Sequence, residues 1–182
     1  MSMGLTAPRY TVDDLEHFPH DGNRYELLDG VLLVTPGPGP MHQIIASRLS
    51  FILGNAVQVT GLGYVVGPGT VTRPPLTHLE PDILVFPSHF PINSKWFEIS
   101  TNWLAVEILS RSSHFYDRNF KVDAYFALGV REVWLVDPRA KSIEVWRAKG
   151  VSEVHTRTLT WRVWDAGIRV DIDTLELFAG VE

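Results

Sequence analysis

Leu104-Ala105-Val106-Glu107-Ile108-Leu109 is an apolar run of strand length with a carboxylate inside it. Neighbours of this kind imply a strand covered on both faces. By alternation Leu104, Val106 and Ile108 share one face, while Ala105, Glu107 and Leu109 share the other. An unpaired ionised glutamate there would cost several kcal/mol, so Glu107 demands a cation, a metal ion or a solvated cleft beside it. A second apolar run, Ile83-Leu84-Val85-Phe86, opens on Pro81-Asp82 and sets another acid at a strand entry. Two carboxylates in one cleft repel each other, and a divalent cation removes that conflict. Oxygen-only ligation favours a hard ion such as Mg²⁺ or Mn²⁺.

The rest of the chain gives these strands a setting. Arg24–Thr35 is expected to form a hairpin about Asp29-Gly30. The Pro36-Gly37-Pro38-Gly39-Pro40 breaker leads into a helix over roughly 41–58, with Ile45, Leu49, Ile52 and Leu53 at helical spacing. Strand segments follow at 64–66 and 71–72. Ser112 or Ser113 can cap a helix running to about Leu128 and closed by Gly129. Glu132–Val136 and Ser142–Trp146 form a further hairpin across Asp137-Pro138, and 151–178 reads as more strands. Repeats, low-complexity tracts and linkers are not evident. The expectation is one α/β domain over 1–182, an α+β fold about a mixed sheet.

Composition narrows the class. The chain has 182 residues, 45% of them hydrophobic and 20% charged, which suits a packed domain. It has no cysteine, so disulfides and thiolate metal sites are excluded. No apolar stretch approaches the roughly 18 residues of a membrane span, and no export signal opens the sequence. A cytoplasmic protein is the expectation. The net charge of −5 argues against a sequence-independent nucleic-acid coater, though not against an enzyme meeting DNA through one patch. Residues 139–169 carry seven Lys or Arg against three acids, interleaved with Trp146, Trp161 and Trp164. A stacking, phosphate-tracking surface would look like this. The preferred reading is a hairpin with tryptophans inward and cations in water.

Several side chains could join the two acids. Lys121 shares a helical stripe with His114, Arg118 and Tyr125, opposite an apolar side of Tyr116, Phe120, Ala124 and Ala127. Turned toward the carboxylates, Lys121 could orient a water or offset transition-state charge. Paired with Asp117 four residues earlier, it could equally be a surface ion pair. Glu26 is either a solvent-facing strand residue or a third metal-site carboxylate. His42, at the start of the first long helix, either contacts a phosphate or sits in water, the latter being preferred. Arg111 and Arg118 are further candidates for nucleic-acid contact. Glycine-rich phosphate loops and nucleophile–base triads are not found.

With these residues in place, the chain resembles the PD-(D/E)XK nuclease superfamily, and within it a small bacterial family of restriction-endonuclease-like proteins. The matching stretches are Arg24-Tyr25-Glu26-Leu27-Leu28-Asp29-Gly30, the Pro-rich loop before Met41-His42-Gln43, Pro81-Asp82 and Val106-Glu107-Ile108-Leu109-Ser110. They continue through Asp117-Arg118-Asn119-Phe120-Lys121, Tyr125 and Gly129–Pro138, so that about residues 10–175 are covered. The resemblance implies a restriction endonuclease-like core with an N-terminal hairpin and a C-terminal β-hairpin extension. It further implies that Asp82 and Glu107 are metal-binding acids and that the Ile108 carbonyl is a further ligand. The superfamily's Glu-x-Lys has Leu109 in its third place here, and the resemblance implies a lysine relocated to Lys121.

The function expected on these grounds is Mg²⁺- or Mn²⁺-dependent hydrolysis of DNA phosphodiesters, with RNA left open as the partner, by a chain that could act as a homodimer. The alternatives are a catalytically silent nucleic-acid-binding or protein-interaction module on the same fold, and an acid–base enzyme for a small molecule.

Overall fold

Alternation along the two apolar runs becomes the two faces of a six-stranded mixed sheet. The computed structural model describes residues 9–110 and 114–181. The sheet has the order β10-β9-β8-β7-β6-β3. Its strands are β3 (Gly63–Val66), β6 (Ile83–Pro87), β7 (Leu104–Ile108), β8 (Val133–Asp137), β9 (Ser142–Ala148) and β10 (Val151–His155). β7 and β8 run parallel and the other neighbours antiparallel. All five residues of β6 and all five of β7 are buried, as strands covered on both faces require.

One face carries Ile83, Val85, Leu104, Val106, Ile108 and Trp134. Against it lie α1 (Pro40–Val57), through Ile45, Leu49, Leu53 and Val57, and the hairpin of β11 (Thr158–Val163) and β12 (Ile168–Asp173). Trp134 meets Trp161 of β11 edge to face, 5.9 Å between ring centroids, and so ties the hairpin to the sheet. The basic, tryptophan-rich stretch is therefore split between two hairpins. Trp161 is buried while Arg162 beside it is exposed, the inward-aromatic arrangement expected. A short helix, α4 (Thr174–Leu177), follows β12 and is capped by the Asp173 side chain.

The opposite face carries Leu84, Ala105, Leu109 and Leu135, packed with Val122 and Tyr125. These last two belong to the crossover that parallel β7 and β8 require. It consists of α2 (His114–Tyr116), a π-helical turn (Asp117–Lys121) and α3 (Val122–Ala127), which ends at Gly129 with φ +88°. A second sheet, ordered β2-β1-β5-β4, comprises β1 (Asn23–Leu28), β2 (Val31–Pro36), β4 (Val71–Arg73) and β5 (Thr77–Leu79). Its β1–β2 turn has positive φ at both Asp29 (50°) and Gly30 (79°), which the Asp-Gly pair accommodates. Among the described residues no helix is long and apolar enough to cross a membrane.

Candidate active site

The register of β6 against β7 sets the acids. Ile83 pairs with Val106 in the antiparallel ladder, so one step further Asp82 lies across from Glu107. The ladder is closed there by a side chain: the Ile108 amide donates to Asp82 Oδ2 at 2.8 Å. Asp82 and Glu107 both line a cleft of about 320 Å³, walled by the proline-glycine segment 36–40, Ser110 and Arg139.

Protein donors occupy both oxygens of Asp82. Arg24 on β1 reaches Oδ1 at 2.9 Å and is braced by the Glu80 carbonyl at 3.1 Å. His42, near the start of α1, meets Oδ2 through Nε2 at 2.9 Å. Since a carboxylate only accepts, that nitrogen carries the hydrogen. Burial alone would raise the Asp82 pKa, but His42, Arg24 and the Ile108 amide together hold it below the usual value. His42 is thus not the water-facing residue expected from sequence. Its Nδ1 is buried and, among the described residues, lacks a hydrogen-bond partner.

Lys121 is the centre of the second half of the site. Its ammonium lies 2.7 Å from Glu26, 3.2 Å from Asp117 and 3.3 Å from Glu107, and all four side chains are almost fully buried. The Asp117 contact is an ion pair rather than a well-directed hydrogen bond. Asp117 and Lys121 form the two ends of the π turn, a helical distortion frequent at functional sites. The alternative of a surface ion pair is excluded. Burial would strip the Lys121 proton, but the three carboxylates reverse this and raise its pKa above the ordinary lysine value. It is a fixed cation, not a base.

Glu107 is held by Lys121 and by the Tyr125 hydroxyl, which donates to the same carboxylate oxygen. Its pKa is pushed well above the ordinary value, first by burial and then by Asp117, Asp82 and Glu26, against the opposing pull of Lys121. Glu26 takes the Glu80 amide on one oxygen at 2.8 Å and Lys121 on the other. The carboxylate that sequence offered as a solvent-facing group or a third metal ligand is therefore buried, not solvent-facing, and turned to Lys121.

Of the two readings of Lys121 the inward one holds, with Tyr125 beside it, while Tyr116 and Phe120, on the side expected to be apolar, are exposed along with Phe115. Arg118 is committed to the buried carboxylate of Glu144 on β9. Arg111 lies outside the described residues. Sequence reasoning passed over Arg24, whose only signal was its place two residues before Glu26 on one strand face.

The mixed sheet, with acids facing each other across β6 and β7, defines a restriction endonuclease-like protein. The chain belongs to the Uma2 family, described as "Putative restriction endonuclease", whose model matches residues 12–165. No curated protein matches it. Among solved structures, a chain from Anabaena variabilis ATCC 29413, described as "a putative nuclease belonging to DUF820", superposes with a TM-score of 0.71 at 19% identity. The match covers 94% of this chain and 99% of that one, and at this identity it speaks for the fold.

The donor set fits a hard divalent ion in chemistry. Glu26, Asp82, Glu107 and Asp117 bring four carboxyl groups together about the two cations Arg24 and Lys121. The donors they offer are all oxygen. Among the described residues, however, no three acidic or imidazole groups already converge on one point. An ion at Asp82 would share the carboxylate with Arg24 and His42.

Proposed function

We propose that this protein is a Mg²⁺- or Mn²⁺-dependent endonuclease that hydrolyses DNA phosphodiesters at the cleft lined by Asp82 and Glu107. The reading is carried by the opposition of Asp82 and Glu107, with the Lys121 ammonium 3.3 Å from Glu107. Asp82, Glu107 and the Ile108 carbonyl would hold the ion. A bound divalent ion supplies Lewis acidity toward the scissile phosphate and lowers the pKa of a bound water.

The chain's own residues divide the remaining work. Glu107 is kept in one orientation by Tyr125 and Lys121. Lys121, permanently protonated, offsets the negative charge that grows on the phosphoryl oxygens as water attacks and the P–O bond to the leaving oxygen breaks. Glu26 and Asp117 hold that ammonium in place at 2.7 and 3.2 Å. Leu109 packs in the apolar cluster, and the lysine sought in its place arrives from the crossover.

Supercoiled-plasmid nicking with Mg²⁺, Mn²⁺ or EDTA tests this. Cleavage is expected only with the ion, to be lost in Asp82→Asn, and to fall by about 10²–10³ in Lys121→Ala, the range for removing one preorganised electrostatic donor. Nicking by Asp82→Asn at the wild-type rate would rule the assignment out.

A further inference from the structure

Asp82 already accepts from donors in three directions. Arg24 takes Oδ1, while His42 and the Ile108 amide take Oδ2. The Ile108 contact continues the β6–β7 ladder at its end. The other two come from outside this sheet, from β1 and from the first turn of α1, and both residues line the cleft. Their side chains are only 18% and 15% exposed, so neither contact is a casual surface pairing.

We propose that Arg24 and His42 form a clamp that competes with a divalent cation for the Asp82 carboxylate. The inference rests on Asp82 being an ion ligand, as the proposed function has it. Arg24 cannot simply move away, because its guanidinium also donates to the Glu80 carbonyl at 3.1 Å. A guanidinium and a divalent ion on one part-buried carboxylate repel each other strongly in the reduced dielectric. Ion binding therefore has to break the clamp, and the apparent affinity falls by the fraction of molecules in which it is closed. The clamp sets the ion concentration at which the site loads. It also keeps Asp82 compensated, so that the acid is not stranded in the cleft when divalent ions are scarce.

Mn²⁺ titration by calorimetry, with thermal melting in EDTA and in Mn²⁺, tests the proposal without any nuclease assay. Arg24→Gln and His42→Gln are expected to bind Mn²⁺ more tightly than wild type, by about tenfold for Arg24→Gln. Both should melt lower in EDTA, and the gap should narrow in saturating Mn²⁺. Unchanged or weaker Mn²⁺ binding by the folded variants overturns the clamp. Should Arg24→Gln fail to fold, His42→Gln decides in the same direction. Asp82→Asn separates the two claims. If it binds Mn²⁺ as wild type does, Asp82 is not a ligand and both claims fall. If it loses binding while the clamp variants gain none, only the clamp falls. Binding by no form of the protein overturns both.

Discussion

Lys121 is one ammonium surrounded by three carboxylates, and the strength of that arrangement is measurable. Removing one partner of a buried ionic group typically costs about 3–5 kcal/mol. Lys121→Met is expected to lose that much in urea unfolding, with part recovered when Glu26→Gln is added. Tyr125→Phe, which strips a donor from Glu107, should cost about 1–3 kcal/mol in the same measurement. The pH dependence has a definite sign. Glu107 has its folded pKa raised above the unfolded value near 4.3, so the folded state binds the extra proton between the two. Its ionisation therefore works against folding as pH climbs through that window. In EDTA, the melting temperature of Glu107→Gln relative to wild type should rise as pH climbs above about 4. A flat difference would mean that Lys121 fully compensates the charge.

Elements differ in how openly the sequence announces them. β7 was legible with its face assignment, because a carboxylate in an unbroken apolar run has few solutions. The β1–β2 hairpin, α1 and the crossover helix were equally open to periodicity and turn chemistry. Orientation of the crossover was not. Amphipathic spacing identifies two sides of a helix, and the ordinary rule sends the apolar one inward. Here the inward side is spent on Asp117, Lys121 and Tyr125, whose partners come from strands far off in sequence. Phe115 and Phe120 are left in water, and Phe115→Ser should change stability by no more than about 0.5 kcal/mol. The roles of Arg24 and His42 were hidden for a related reason. Their common partner Asp82 is 58 and 40 residues away, a separation that local pattern does not reach.

At the scale of the molecule, the C-terminal hairpin serves the site from the far face of the sheet. β11 and β12 close the apolar layer beneath β6–β8, with Trp161 against Trp134 at its centre. Trp161→Ala is expected to cost about 3–5 kcal/mol, read from denaturant midpoints, by opening a cavity under the strands that carry the acids. The reach of the sequence also ended at this scale. It separated the strands but left open which would be neighbours, and the meeting of Asp82 with Glu107 depends on β6 lying beside β7.

β6 and β7 set the spacing of the two acids through their ladder and the Ile108–Asp82 contact, whereas the ammonium is delivered by a separate helical crossover, which also braces Glu107 through Tyr125. The site is thus assembled from two separately mounted parts. A local opening of the crossover would withdraw the cation while the strand acids kept their spacing. The same separation lets the charge be supplied from a different point of the chain, with Leu109 filling the strand position, while the carboxylate geometry stays as the sheet dictates.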